Sequence, residues 1–198
     1  FTYGNTGIVS GVTPQYWNSS GSYVNATTIN DTVSGFLGRA AGENVGSYSY
    51  SLGTVAASAP SNYSTSLTAG TFAITAKALT INPTGGQSKV YGDDDPVGGF
   101  TYGSSGIVNG VTPQYWNSSG SYVNATTIND SVSGFLGRAA GENVGSYAYS
   151  IGTVAANAPA NYTTSLTAGS FAITAKALTI TATGGQSKVY GDDDPVGG

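Results

Sequence analysis

Residues 48–52 read Tyr48-Ser49-Tyr50-Ser51-Leu52, and this strict alternation points to the fold class. Successive side chains of a β-strand point to opposite faces, so the run places its two tyrosines and Leu52 on one face. The same pattern recurs in Ala78-Leu79-Thr80-Ile81, where Leu79 and Ile81 share a face. Further candidate strands are residues 33–37, 63–67, 72–75 and 100–102. Clusters of Gly, Pro, Asn and Ser separate the runs, which is typical of strands joined by turns.

The spacing between these strands, roughly 8–15 residues, is typical of β-sandwich and related antiparallel folds. We therefore predict an all-β chain of tandem immunoglobulin-like β-sandwich domains in a linear array. A β-grasp-like sheet with one short helix per unit fits the same strand count. The candidate helical turns are residues 7–12 and 26–32, and β-branched residues disfavour the second.

Glycine-containing segments between the strands are predicted turns. They are residues 41–44, 69–70 and 84–87. Because residues 69–70 separate two strand runs, we predict that they form a hairpin.

The chain is one sequence written twice with a period of 99 residues. Phe1-Thr2-Tyr3-Gly4 returns as Phe100-Thr101-Tyr102-Gly103, and the register holds to the last residue. Only 12 of the 99 aligned positions differ, nearly all by exchange of small or polar side chains. A unit of this length exceeds the 20–50 residues of solenoid repeats and suits an independent domain. We call residues 1–99 the first repeat and residues 100–198 the second repeat.

The composition excludes several classes of function. The chain has no His or Cys, so thiol chemistry, disulfides, Cys/His metal sites and His-based triads are absent. A net charge of −4 argues against nucleic acid as a partner. No apolar run approaches the ~20 residues that span a bilayer, so no membrane insertion is expected, and the first residues do not read as a signal peptide. One Glu per repeat and no His argue against an enzyme, and no catalytic residue is predicted.

Acidic residues cluster at Asp93-Asp94-Asp95-Pro96 and again at residues 192–195. In an extended stretch Asp93 and Asp95 share a face, and so do Asp192 and Asp194. Carboxylate oxygens are ligands that Ca²⁺ prefers, so these four residues are a candidate calcium site. A solvated turn, in which Asp caps backbone N–H groups and Pro ends a strand, is favoured because the spacing is not that of a calcium loop. No other cofactor is expected.

The basic side chains are predicted to lie at the protein surface. Arg39 and Glu43 lie four residues apart and are predicted to form a surface ion pair. Lys77 and Lys89 lie at predicted strand edges, where lysine protects against association between sheets.

Aromatic side chains are concentrated in the stretch 13–32 and its second occurrence. Trp and Tyr dominate contact surfaces, so they form a candidate contact patch for sugars, proteins or neighbouring units. Packing as the small core of a long loop is the alternative. The residues are Tyr16, Trp17 and Tyr23, with Tyr115, Trp116 and Tyr122 in the second repeat.

Four segments resemble a known family in their order along the chain. They are Arg39-Ala40-Ala41-Gly42-Glu43-Asn44-Val45-Gly46-Ser47-Tyr48, Asn62-Tyr63 with Gly70-Thr71-Phe72-Ala73-Ile74-Thr75, Lys77-Ala78-Leu79-Thr80-Ile81, and Lys89-Val90-Tyr91-Gly92-Asp93-Asp94-Asp95-Pro96. They resemble the YDG/MBG-type repeats of bacterial surface proteins, which occur in filamentous-haemagglutinin-like adhesins. The likeness covers most of each repeat, and the stretch 13–32 is an addition to the family pattern.

The resemblance implies a domain frame that begins at Lys77. Residues 77–175 are then one complete unit, residues 1–76 lack their first strand, and residues 176–198 begin a third unit. The chain is either a window on a longer array, or residues 176–198 of one chain complete residues 1–76 of the next. Strand complementation of the second kind would give a head-to-tail polymer.

The resemblance also implies a function. We predict a structural tandem-repeat segment of a bacterial extracellular adhesin or fibre, secreted or on the cell surface, that builds a filament or biofilm matrix thread. The expected partners are further copies of the same repeat, with a glycan or host surface as another candidate. The alternative is a carbohydrate- or host-glycoprotein-binding module that uses the loop of Tyr16, Trp17 and Tyr23.

Overall fold

The computed structural model describes residues 1–196, and short β-strands make up almost all of its regular structure. The helical content of this part of the chain is two single 3-10 turns, Pro60–Asn62 and Pro159–Asn161. The predicted all-β class is confirmed, and the short helix of the β-grasp alternative is not found between residues 1 and 196. No helix among these residues is long and apolar enough to cross a membrane.

Eleven strands precede residue 100. They are β1 Ser10–Val12, β2 Gln15–Trp17, β3 Tyr23–Asn25, β4 Ile29–Asn30, β5 Val33–Ser34, β6 Gly38–Arg39, β7 Gly46–Ser51, β8 Ala56–Ala57, β9 Thr71–Ile74, β10 Lys77–Pro83 and β11 Ser88–Val90.

Eleven more follow in the described part of the second repeat. They are β12 Tyr102–Ser105, β13 Asn109–Val111, β14 Gln114–Trp116, β15 Tyr122–Asn124, β16 Ile128–Asn129, β17 Val132–Ser133, β18 Gly137–Arg138, β19 Gly145–Ser150, β20 Ala155–Ala156, β21 Tyr162–Leu166 and β22 Ser170–Thr174.

Both predicted helical turns are wrong, because their residues pair with each other as strands. Residues 7–12 contain β1 and residues 26–32 contain β4, and the two strands are antiparallel. The side chain of Asn30 adds a hydrogen bond, its Oδ1 accepting from the backbone N–H of Gly11 at 3.0 Å. Partners 20 residues apart therefore override the weak local helical tendency.

Residues 77–175 contain two sheets packed face to face. In the three-stranded sheet, β10 lies between β12, to which it is antiparallel, and β21, to which it is parallel. The four-stranded sheet has the order β11-β22-β19-β18. We call this arrangement the closed sandwich.

The core of the closed sandwich is supplied by both sheets. Leu79 and Ile81 of β10 are 0% exposed, and Phe171 and Ile173 of β22 meet them from the other sheet. The predicted alternation on β10 explains this burial, because Leu79 and Ile81 point inward. The remaining buried members are Phe100, Leu136, Tyr149, Val154, Ala156 and Tyr162.

The predicted hairpin at residues 69–70 is also wrong. In the second repeat the equivalent residues, 168–169, connect β21 to β22, and these two strands belong to different sheets. The segment therefore crosses between the layers of the sandwich.

The predicted strand at residues 63–67 forms in one repeat only. Its second occurrence is β21, but residues 63–67 themselves are not in a strand. β21 pairs with β10, and no strand among residues 1–196 lies beside residues 63–67 in the same way. The domain boundaries 1–76, 77–175 and 176–198 stay a prediction, and Gly197 and Gly198 lie outside the described residues.

Candidate functional site

A groove of about 440 Å³ runs through residues 1–76, which we call the open sandwich. Most of the large side chains that line it are apolar, and in the second repeat their counterparts pack in or against the closed core. Tyr50, Val55 and Tyr63, for example, are half-buried, whereas Tyr149, Val154 and Tyr162 are buried. The apolar and aromatic residues of the lining are Tyr3, Ile8, Val33, Leu37, Tyr50, Leu52, Val55, Ala56, Ala57, Tyr63 and Leu67.

The groove corresponds to the position of β10 in the closed sandwich. There, Lys77 is aligned with Tyr162 and Ile81 with Leu166 on the parallel side. On the antiparallel side, residues 80–83 are aligned with residues 105–102. Shifted by 99 residues, these two flanking strands are residues 63–67 and 3–6, and both segments line the groove. The walls of the groove therefore carry nearly the same sequence as the two strands that enclose β10.

Residues 176–182 correspond to β10, with Thr181 and Ala182 in place of Asn82 and Pro83, but have no strand partner in the described chain. Residues 176–180 are Lys-Ala-Leu-Thr-Ile, as in residues 77–81. Leu178 is 85% exposed and Ile180 is 86% exposed, whereas Leu79 and Ile81 are completely buried. An apolar strand sequence, and a groove whose walls correspond to the two strands beside β10, thus lie near opposite ends of one chain.

The two repeats meet at an aromatic junction. Trp116 of β14 stacks on Phe36 with ring centroids 4.3 Å apart and 17° between the planes. Arg39 of β6 lies with its guanidinium carbon 4.6 Å from the ring centroid of Tyr115. A guanidinium over an aromatic face is attracted by the ring's charge distribution, most strongly where water is excluded. Arg39 is only 2% exposed, so the predicted surface ion pair with Glu43 exists but its arginine is buried.

Polar contacts extend the junction. The Oγ of Ser51 donates to the carbonyl oxygen of Ser118 at 2.9 Å. The Oδ1 of Asn161 accepts from the backbone N–H of Val45 at 2.9 Å, and its Nδ2 donates to Asn44 Oδ1 at 3.0 Å. These bonds pair groups of the first repeat with groups of the second.

The close approach of the repeats requires glycine at position 38. A Cβ atom there would lie 1.9 Å from the carbonyl oxygen of Asn117, well inside van der Waals contact. At the equivalent Gly137 a Cβ would meet only Ser150 Oγ, at 2.6 Å. The hairpin of β14 and β15 therefore rests directly on the backbone of β6.

Residues 79–172 match the family model described as MBG domain (YGX type). This part of the chain is similar to the MBG family. The match begins on β10 and ends on β22, so it includes strands of both sheets of the closed sandwich. The predicted relationship to YDG/MBG-type repeats is confirmed. No curated protein and no solved structure matches the chain.

An ionic cluster of the closed sandwich lies on either side of Tyr91-Gly92-Asp93 in the sequence, at Lys89 and Asp95. Asp95 accepts from Arg138 Nε at 2.8 Å and Nη2 at 3.0 Å, and Lys89 Nζ lies 3.0 Å from its Oδ1. Glu142 bonds to both cations. The hydrogen bonds from Arg138, followed by those from Lys89, hold the pKa of Asp95 below its usual value. Lys89 lies on β11, the edge strand of the four-stranded sheet, as predicted, but these ion pairs leave its side chain almost covered.

The candidate calcium ligands are not brought together as a metal site. Among residues 1–196, no group of three or more acidic side chains is arranged to hold a metal ion. Asp95 is occupied by Arg138 and Lys89, and Asp194 lies 2.7 Å from Lys188. Calcium binding at Asp93, Asp95, Asp192 and Asp194 stays a prediction, and a cation there would compete with these ion pairs.

The predicted contact patch has two different surroundings in the two repeats. Tyr115 and Trp116 lie against the first repeat, and Tyr122 packs on Trp116 at 5.2 Å between centroids. Trp17 packs on Tyr23 in the same way, but Tyr16, Trp17 and Tyr23 are exposed, with Trp17 at 70%.

Sequence reasoning missed the remaining partners at the junction, which are Phe36, Gly38 and Ser51 of the first repeat and Asn161 of the second. One signal was present: Phe36 and Leu37 are consecutive large apolar residues in a predicted strand, so one of them must point away from the core.

Proposed function

We propose that the chain is a structural tandem-repeat segment of a bacterial extracellular adhesin or fibre, in which MBG domains line up as a thread. The MBG family is a structural and adhesin-type module of extracellular surface proteins, which supports this role and a secreted or cell-surface location. Each domain of the thread has the frame of residues 77–175, and each is followed by a strand that belongs to the next domain.

Rigidity between neighbouring domains supports a mechanical role. Two residues, Thr75 and Ala76, separate β9 of the open sandwich from β10 of the closed sandwich. The stacked pair of Phe36 and Trp116 and the covered Arg39 add a second connection beside this short link. Two connections resist bending better than one, so the domains extend a thread instead of moving as loose beads.

The observation that carries the proposal is the pair formed by the open groove and the exposed strand sequence. We propose that residues 176–182 of one molecule enter the open sandwich of the next, in the register of β10. Insertion would bury Leu178 and Ile180, each worth roughly 1.5–3 kcal/mol, and would pair the backbone on both sides of the strand. The interface is heterologous and does not close on itself, so it generates a linear polymer. In a longer array, the same segment would complete the next domain of the same chain.

The junction contacts give less support to the alternative function, a carbohydrate-binding module. Trp116, the counterpart of exposed Trp17, is half-buried and stacks its ring on Phe36. Protein contact is therefore the use that the chain itself makes of this aromatic pair.

Electron microscopy and sedimentation velocity of the purified chain test the proposal. We expect linear filaments whose average length rises with protein concentration. The double variant Leu178→Asp, Ile180→Asp should remain monomeric, because each charge would enter the apolar groove. Val196→Asp is the matched control, since Val196 and its counterpart Val97 are both fully exposed and lie outside the strands. A chain that stays monomeric at high concentration, or filaments that the double variant still forms, would contradict the proposal.

A further inference from the structure

The closed sandwich carries a copy of the surface that holds the junction hairpin. In the first repeat this surface is formed by Phe36, Gly38, Arg39 and Val45. The equivalent residues are Phe135, Gly137, Arg138 and Val144. Val144 is 57% exposed against 38% for Val45, and Phe135 is 63% exposed against 54% for Phe36. Gly99 lies beside the Phe135 ring, but among residues 1–196 no aromatic ring stacks on Phe135 as Trp116 stacks on Phe36. We call these four residues the second junction face.

The complementary half is exposed at the other end of the chain. The hairpin of β2 and β3, residues 15–25, is identical in sequence to residues 114–124, which fill the junction. Its strands pair in the same register, Trp17 with Tyr23 as Trp116 with Tyr122. The two hairpins thus have the same structure, and only one of them is in contact with a junction face.

We propose that the second junction face binds the hairpin of residues 15–25 from a second molecule of this chain. The inference rests on the proposed head-to-tail thread and deepens it, because it adds a second, independent contact beside strand insertion. Trp17 would stack on Phe135 and Tyr16 would cover Arg138, as Trp116 and Tyr115 do within the chain. Every junction in the thread, within a molecule or between molecules, would then have one geometry.

The sequences of the hairpin and of the junction face support this proposed contact between molecules. None of the 12 positions that differ between the repeats belongs to the junction. Asn62, the counterpart of Asn161, is retained and could bond to Val144 as Asn161 bonds to Val45. The contacts of the junction are therefore duplicated without a change of side chain.

The ion pairs of Arg138 leave room for the incoming tyrosine. Asp95 and Glu142 bond to nitrogen atoms at the edge of the guanidinium group. In Arg39 the edge also bonds to a carboxylate, that of Glu43, while Tyr115 lies over the plane of the group. Edge bonding and stacking use different directions, so Arg138 can do both.

The chain has two tryptophans, which gives a selective reporter. The variant Trp116→Phe leaves Trp17 as the only tryptophan, and Phe can still stack on Phe36. We expect the emission of Trp17 to shift to shorter wavelength as concentration rises and molecules join, because its ring leaves water. The matched control, Trp17→Phe, reports on Trp116, whose emission should not change with concentration.

A second variant separates the two contacts. Gly137→Ala should abolish the Trp17 shift, because its Cβ would meet the carbonyl oxygen of Asn18 as a Cβ at Gly38 would meet Asn117. Gly137 does not have a positive φ, and Ser150 Oγ is a side-chain atom that can rotate, so the domain itself should fold. Filaments joined by residues 176–182 should persist in this variant, with lower stiffness.

The outcomes distinguish this inference from the proposed function. Filaments seen by sedimentation without any Trp17 shift overturn the hairpin contact and leave strand insertion standing. Absence of filaments together with an unchanged Trp17 spectrum overturns both. A Trp17 shift that appears on addition of oligosaccharide, but not with protein concentration, assigns the hairpin to a glycan and overturns the contact between molecules.

Discussion

The open sandwich and the closed sandwich have nearly the same sequence but different cores. Phe171 is completely buried, whereas Phe72, at the same position of the repeat, is only half-buried. Residues 162–166 form a strand, and residues 63–67 do not. The closed sandwich contains β10 and β11, and neither strand has a counterpart in the open sandwich within residues 1–196. A strand sequence becomes a strand when its partner is present, because ladder pairing and burial depend on neighbours.

Other features are common to both regions because their partners are local. The hydroxyl of Tyr63 donates to Asp31 Oδ2 at 2.7 Å, and Tyr162 donates to Asp130 in the same way. The hairpins β2–β3 and β14–β15 also agree in register. The repeat therefore folds its local parts from its own sequence and needs the equivalents of β10 and β11 to complete its two sheets.

The largest expected effect comes from truncating the same phenylalanine in the two regions. Phe171→Ala should lower the free energy of unfolding by roughly 3–5 kcal/mol, as expected for a fully buried aromatic side chain. Phe72→Ala should cost clearly less, since its ring keeps part of its solvent contact. Urea denaturation of both variants measures the difference, and equal losses would show that β10 does not decide the burial.

The tyrosine–aspartate hydrogen bond, unlike the phenylalanine, should contribute similarly to stability in the two regions. Tyr63→Phe and Tyr162→Phe should each lower the free energy of unfolding, because each removes a hydrogen bond to a carboxylate. The two losses should be similar, since both bonds have the same length. Urea denaturation again provides the measurement, and a loss confined to Tyr162→Phe would mean that the network also depends on β10.

Much of this organisation could be predicted from sequence, and the exceptions have physical reasons. Alternation located β7, β9 and β10 because side-chain period is a local property. The hairpin at residues 69–70 was wrong because two strands next to each other in sequence can belong to different sheets. Arg39 was predicted to be exposed because the hairpin that covers it lies more than 70 residues away in the chain. The contact patch was found by residue type, but its partner Phe36 could not be assigned without the geometry.

A smaller effect is expected at the junction. Trp116→Ala should lower stability by at least about 0.5–1.5 kcal/mol, the contribution of an aromatic pair beyond its buried area. Trp17→Ala in the monomer should change stability by less than about 0.5 kcal/mol, because its ring is largely in water. Thermal unfolding at low protein concentration compares the two, and equal effects would remove the energetic basis of the junction.

The smallest expected effect is a response to acid that is confined to the closed sandwich. The pKa of Asp95 is lowered in the folded state, so its stabilisation is fully present above the unfolded value of about 3.9 and is lost as the pH falls through the lower folded value. Because the pair is partly exposed, the loss should stay below about 1 kcal/mol. Asp95→Asn should abolish this part of the acid dependence between pH 7 and pH 3. Asp194→Asn, at an exposed ion pair, should leave it unchanged; an effect as large as that of Asp95→Asn would refute the assignment.

Amide hydrogen exchange at residues 176–182 tests most directly whether one molecule completes the next. As protein concentration rises, these amides should become as protected as those of β10, and the amides of residues 63–67 should gain protection with them. Particles that grow while residues 176–182 continue to exchange at the rate of an unstructured chain would contradict strand insertion.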